Sequence, residues 1–152
     1  PSRGLGDVYK RQEQTIILAM EIENQSVDYR PLILVAEDDD SNFKLIKAII
    51  GKKCEVQWAR NGEEIVSLFL ENRDKADAIL MDIKMPVMNG LDATQRIRRE
   101  GGTLPIIMQT AYAFSSDREN AMNAGASEVL VKPITLSTLR NCLSSYLPQL
   151  VW

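Results

Sequence analysis

Asp82 ends the apolar run Ala78-Ile79-Leu80-Met81 and opens the segment Asp82-Ile83-Lys84-Met85-Pro86-Val87-Met88-Asn89-Gly90. A strand that delivers a single carboxylate into a loop punctuated by Pro86 and Gly90 presents that carboxylate for use. Three other apolar runs end in groups of complementary type: Glu37, Asp38 and Asp39 after the first, Thr110 after another, Lys132 after the last. Each has an ordinary explanation when taken singly. Residues 37–40 suit a helix N-terminus, where negative charge complements the macrodipole, and Asp39 and Asp40 need be no more than that. Asp82 reads as a turn residue, Thr110 as a capping hydroxyl and Lys132 as a surface charge ahead of Pro133. Together they make the donor set of one site for a divalent cation and a phosphoryl group. Two carboxylates about 4 Å apart repel by roughly 4 kcal/mol at an effective dielectric near 20, so grouping Glu37, Asp38 and Asp82 calls for a cation. An all-oxygen donor set favours Mg²⁺, which also binds phosphate oxygens.

The bulk properties narrow the class. The chain has 152 residues, 45% hydrophobic and 26% charged, as expected of one globular domain. A net charge of -3 argues against a nucleic-acid surface. No apolar run approaches the roughly 18 to 20 residues of a membrane span. Cys54 and Cys142 fall in an expected strand and helix, and read as buried thiols of a cytoplasmic protein. The chain contains no histidine, which removes imidazole acid–base catalysis, most zinc sites and any phosphohistidine carried by this chain. Phosphoryl chemistry here must rest on carboxylates.

These groups need a scaffold that brings strand ends together. From Leu32 the pattern alternates regularly: strands at Leu32–Ala36, 54–58, 77–81, 104–108 and Glu128–Val131. Between and after them lie helices from about Ser41, near Gly62, at 91–99, from Ser116 to Gly125 and from about Thr135. Ser116-Asp117-Arg118-Glu119 reads as a capping box. Five β–α pairs imply a parallel sheet with helices on both faces and right-handed crossovers, its ligands outside the strand C-termini. We take residues 32–148 as the domain, 149–152 as a tail and 1–31 as a non-domain segment. Residues 1–12 lack either period and read as adapter-derived. The patch from Thr15 to Ile22 leaves a short helix, a strand of an upstream domain and disorder all open. There is no initiator methionine, as in a fragment.

At this point the residues resemble a known family, the receiver domain of two-component response regulators. The resemblance covers about residues 32–147. It rests on Val35-Ala36-Glu37-Asp38-Asp39, the segment from Met81 to Gly90, Gln109-Thr110-Ala111 and Val131-Lys132-Pro133. It implies a flavodoxin-like, doubly wound (βα)5 sandwich with sheet order 2-1-3-4-5 and a cis Lys132–Pro133 bond. Asp82 would be the phosphoacceptor, attacking a phosphohistidine on a histidine kinase or histidine phosphotransfer protein. Asp38 would bind Mg²⁺ directly and Glu37 through water, with Asp82 and the Lys84 backbone carbonyl completing the ligands. Lys132 would pair with the phosphoryl oxygens and Thr110 would hydrogen-bond one of them. The resemblance also implies a switch and not an enzyme, with a homodimer face formed by the helix from Ser116, the fifth strand and the last helix. The lack of an output domain after the last helix fits the C-terminal receiver of a hybrid sensor kinase, although a single-domain regulator would read the same.

The chain departs from the family at several positions. Val129 stands where a switching Tyr or Phe is common, and Gln109 is polar where an aliphatic residue is usual. Lys84 and Tyr112, beside the acceptor, are bulky and stand in the path of attacking water, which implies a long-lived aspartyl phosphate. Three rival readings share the scaffold. A Mg²⁺-dependent phosphohydrolase with an Asp nucleophile would want a carboxylate two residues later, where this chain has Lys84. A flavodoxin-type cofactor binder would want a Ser/Thr/Gly-rich loop where residues 37–40 are acidic. A pseudo-receiver would lack acceptor-site groups that are all present here.

Overall fold

The computed structural model describes residues 3–27, 29–112 and 115–152. Its elements in chain order are α1 (Arg3–Val27), β1 (Leu32–Ala36), α2 (Asp40–Ile50), β2 (Glu55–Ala59), α3 (Gly62–Glu71) and β3 (Ala76–Asp82). They continue with α4 (Gly90–Arg99), β4 (Ile106–Thr110), α5 (Ser115–Ala124), β5 (Glu128–Val131) and α6 (Leu136–Tyr146). The strands pair in parallel in the order β2-β1-β3-β4-β5, the order that the family resemblance implies.

Strand period 2 divides the apolar residues between two cores. Leu34, Ile79, Met81, Ile106 and Met108 meet Ile65 and Phe69 of α3 and Ile97 of α4. On the opposite face Ile33, Val35, Leu80 and Ile107 meet Phe43, Ile46 and Ile50 of α2 and Leu139 and Leu143 of α6. The fully buried strands β1 and β4 are covered on both sides, which is why they read as continuous apolar runs and not as alternation.

The register assembles the site. Ala36 pairs with Met81, Asp82 with Gln109, and Thr110 with Val131. Glu37, Asp82, Thr110 and Lys132 therefore emerge side by side at the C-terminal edge. The chain leaves β1 for β2 on one side and returns to β3 on the other, so the acidic pair sits at the topological switch point.

Several boundaries differ from the sequence reading. The second strand runs Glu55–Ala59 and not 54–58, because the Cys54 N–H closes the end of α2 by donating to the Ile50 carbonyl at 2.9 Å. The fourth begins at Ile106 and not at 104. The Leu104 carbonyl is taken by the Arg98 guanidinium at 2.6 Å, and Pro105 has no N–H to give the ladder. The third, Ala76–Asp82, includes Asp82 itself.

The capping box expected at Ser116 is also corrected. The fifth helix already includes Ser115, and Asp117 turns instead toward Thr110. At the N-terminus the short helix that was one open alternative is a single helix from Arg3 to Val27, which takes in part of the segment set aside as aperiodic. Its many Arg, Lys, Gln, Glu, Leu and Met residues favour helix locally without a packing period. Among the described residues no helix is long and apolar enough to cross a membrane.

At the C-terminus Leu150 is buried in the second core, and the Trp152 indole donates to Arg140 O and Ser144 Oγ.

Candidate functional site

Glu37 is the first residue beyond β1, and β2 holds it in place: its N–H donates to the Ala59 carbonyl at 2.9 Å. Its Oε1 accepts the Asp39 N–H at 3.2 Å, while Oε2 is buried without a hydrogen-bond partner. Asp38 follows, exposed. Asp39 then caps α2 by accepting the Asn42 N–H at 2.9 Å, and Asp40 pairs with Arg60 at 2.8 Å. The acidic run is thus divided. Two residues face the site, and two serve the helix as their ordinary explanation supposed.

Carboxylate oxygens of Glu37, Asp38 and Asp82 lie within 4.8 Å of one another. At that separation and an effective dielectric near 20, each pair of full charges repels by roughly 3.5 kcal/mol. Lys132 answers part of this, with Nζ 2.8 Å from Asp82 Oδ2 and 3.6 Å from Glu37 Oε2. Burial, then the neighbouring Asp82 charge, pushes the Glu37 carboxyl up to about 7. Burial works to lower the Lys132 pKa, but its bonds to Asp82 and Glu37 prevail and leave it raised. One ammonium among three carboxylates leaves an excess of negative charge, and Glu37 Oε2, 3.6 Å from Lys132 Nζ, has no hydrogen-bond partner among the described residues. A cluster of hard oxygens with an orphaned buried acceptor fits a divalent cation. The Lys132–Pro133 bond is cis.

The loop after Asp82 is held by backbone hydrogen bonds and by Asn89, whose Oδ1 accepts the Asp92 N–H at 2.9 Å. The Gly90 N–H donates to Ile83 O at 2.8 Å, Met88 N–H to Pro86 O at 2.8 Å and Gly62 N–H to Met88 O at 2.9 Å. The Met88–Pro86 bond closes a three-residue turn that leaves Val87 at φ 68, a left-handed conformation uncommon for a β-branched residue. Gly90 is required by proximity: a Cβ there would run into the Asp82 carbonyl. The Lys84 backbone follows Ile83 in this loop. Its side chain crosses the cleft, with Nζ 4.7 Å from the centre of the Tyr112 ring. Asp82, Thr110, Asp117 and Lys132 share with that pair a cleft of about 200 Å³.

Thr110 Oγ1 donates to Asp117 Oδ2 at 3.0 Å and accepts the Tyr112 N–H at 3.1 Å. Val129 is packed in the first core, opposite Met108. Gln109 is also buried, and its Nε2 has no partner among the described residues. Every site residue expected from the sequence lies in or beside this edge except Val129, which lies within β5 three residues before Lys132 and faces the first core.

Two residues were not foreseen. Asp117 has no capping role in the Ser116–Glu119 pattern, and only its position three residues into α5 brings it to Thr110. Trp58 had been read as a strand residue, yet its indole N–H donates to the Glu37 carbonyl at 2.7 Å. Nothing in the local pattern announces a contact that joins β2 to the end of β1.

Comparison with known proteins agrees with this geometry. A family model described as the response regulator receiver domain matches residues 33–144. The chain is 37% identical over 121 residues to hybrid signal transduction histidine kinase I of Dictyostelium discoideum, covering 74% of this chain and 7% of that protein. It is 33% identical over 118 residues to the sensor histidine kinase RcsC of Escherichia coli, covering 76% of this chain and 12% of that one. The chain thus spans a small part of the curated relatives it matches.

Among solved structures it resembles the receiver domain of sensor histidine kinase PA1611 of Pseudomonas aeruginosa, which has a magnesium ion coordinated in its active site cleft. The TM-score is 0.71 and the identity 33%, over 79% of this chain and 99% of that one. It also resembles a chain in the complex of the Saccharomyces cerevisiae histidine phosphotransfer signaling protein Ypd1 with the receiver domain of Ssk1. There the TM-score is 0.72 and the identity 25%, over 77% of this chain and 88% of that one.

Proposed function

Because the chain belongs to the response regulator receiver domain family, we propose that it is a phosphorelay switch whose phosphoacceptor is Asp82. The observation that carries this reading is that the buried Glu37 and Asp82 carboxylates share one Lys132 ammonium, Glu37 Oε2 having no hydrogen-bond partner among the described residues. Charge is in place for a ligand that brings both a cation and a phosphoryl group.

In this reading Asp38, Asp82 and the Lys84 backbone carbonyl would hold Mg²⁺, with Glu37 contributing through water. When bound, the ion neutralises carboxylate and phosphoryl charge together. An Asp82 oxygen attacks the phosphorus of a phosphohistidine. The P–N bond breaks as the O–P bond forms, and the imidazole nitrogen leaves with the electron pair. Lys132 shifts from the Asp82 carboxylate onto the transferring oxygens, and the Thr110 hydroxyl exchanges Asp117 for one of them. Phosphoryl transfer asks mainly for such positioning and charge neutralisation. The carboxylic acid that would protonate a leaving group is lacking two residues after Asp82, where Lys84 lies over Tyr112, so the phosphohydrolase reading is not favoured.

The donor is a cytoplasmic histidine kinase or histidine phosphotransfer protein. The names of the relatives support a receiver within a hybrid kinase, which would pass its phosphoryl group to such a transfer protein. The readout surface is the α5–β5–α6 face, where Met122, Val131 and Leu136 are exposed, and a homodimer can form there. The unit that does this work is residues 32–148, with Leu150 and Trp152 of the expected tail packed onto it. Incubation with a labelled phosphohistidine transfer protein and Mg²⁺ tests the reading. Label should move to the wild-type chain and not to Asp82→Ala; equal labelling of both would overturn it.

A further inference from the structure

Trp58 stands at the open edge of the sheet, on β2, half-buried, yet both faces of its ring and its N–H are engaged. The Phe43 ring is stacked on it at 3.9 Å with an interplanar angle of 3°. The Arg60 guanidinium carbon lies 4.0 Å from its ring centre. Two groups that close to one ring centre must occupy opposite faces, so the indole is sandwiched. Arg60 is held in turn by Asp40 at 2.8 Å. Phe43 and Asp40 belong to the first turns of α2, whereas Trp58 and Arg60 belong to β2 and the residue after it. The stack therefore bridges the two elements that flank residues 37–39.

What the sandwich holds in position is a hydrogen-bond donor. The indole N–H meets the Glu37 carbonyl at 2.7 Å, while the Glu37 N–H is bonded to Ala59 O. Both peptide groups of Glu37 are thereby tied to β2. The carbonyl in question belongs to the peptide that joins Glu37 to Asp38, and the plane of that peptide sets where the Asp38 side chain departs. Asp38 itself is exposed and has left the strand, so its direction is set by this anchor on one side and by the bonded, helix-capping Asp39 on the other. Ligand carboxylates are commonly oriented by such outer hydrogen bonds.

We propose that Trp58 is a positioning residue for the cation-binding carboxylates, acting through the Glu37–Asp38 peptide. The inference rests on the cation site proposed above. Its alternative is that Trp58 only fills space between α2 and β2.

The two tryptophans of the chain make the test internal. In the 152-residue chain a Mg²⁺ titration is followed by the backbone amide and indole N–H resonances. The Trp58 indole should move with the same midpoint as the Glu37 and Asp38 amides. The Trp152 indole, bonded to Arg140 O and Ser144 Oγ, should not move. Trp58→Phe keeps a ring in the sandwich and removes the donor, and it should weaken Mg²⁺ binding roughly ten-fold. The sulfur isostere 3-benzothienylalanine at position 58 keeps the full shape without the N–H and should weaken binding to the same extent, even where the Phe variant folds poorly.

Wild-type affinity in the isostere, or an indole resonance that stays put while the Asp38 amide shifts, would overturn the positioning role and leave the cation site standing. No Mg²⁺-dependent shift at Glu37, Asp38 or Asp82 would overturn the cation site and this inference with it.

Discussion

The Lys132 ammonium lies 2.8 Å from Asp82 Oδ2 and 3.6 Å from Glu37 Oε2, so a single positive charge is divided between two buried carboxylates. The division leaves the site under-neutralised and sets its dependence on pH and on ligands.

Stability of the cation-free protein should fall as pH rises through neutrality. Burial and the Asp82 charge raise the Glu37 pKa from 4.5 to about 7. Between these values the folded chain binds more protons than the unfolded one. The stabilising contribution is therefore full below about 4.5 and lost as pH rises through about 7. Urea midpoints recorded from about pH 5 to about pH 8 should decline, and saturating Mg²⁺ should flatten the decline. A midpoint that rises over this range without cation would contradict the placement of Glu37.

The Lys84–Tyr112 pair should prolong the phosphorylated state. With the ammonium 4.7 Å from the ring centre, the two side chains line the cleft by which water would reach Asp82. Purified phosphorylated protein should keep its label for many minutes, and Lys84→Asn with Tyr112→Glu should shorten that lifetime. Loss within seconds from the wild type, or an unchanged lifetime in the double variant, would count against the pair as a barrier.

Asp117 should oppose the switch. Its carboxylate holds the Thr110 hydroxyl at 3.0 Å, and that bond must break before Thr110 can reach a phosphoryl oxygen. A hydrogen bond of this kind contributes about 1 kcal/mol, or roughly five-fold in an equilibrium. Asp117→Ala should therefore bind the phosphoryl mimic beryllofluoride more tightly by about that factor. Weaker binding, measured by titration in the presence of Mg²⁺, would show that Asp117 supports the loaded state instead.

Gly90 should resist even alanine. An added Cβ would meet the Asp82 carbonyl, and the Gly90 N–H also anchors the loop through Ile83 O at 2.8 Å. Backbone would have to move, and Gly90→Ala should lose roughly 2–4 kcal/mol in urea unfolding. A change within experimental error would mean that the loop yields easily.

Much of this was legible in the sequence because parallel topology converts one-dimensional positions into one edge. A polar residue that ends an apolar run must lie at a strand terminus, and strands joined by helices must all end on the same side. Glu37, Asp38, Asp82, Thr110 and Lys132 could be assembled on that rule alone. The misplaced boundaries have tertiary causes, such as the Arg98 guanidinium capturing Leu104 O ahead of Pro105. Trp58 and Asp117 escaped notice for the same reason. Their partners, Glu37 O and Thr110 Oγ1, are brought near by pairing and packing, and a local window cannot display such contacts. Nothing in the structure explains why the buried Gln109 is an amide.

The most direct test of the account is the intact mass of the protein after incubation with acetyl phosphate and Mg²⁺. The account predicts that the wild type gains the mass of one phosphoryl group, that chelating the cation abolishes the gain, and that Asp82→Ala never shows it. An Asp82→Ala protein that gains the same mass would contradict the claim that Asp82 is the acceptor.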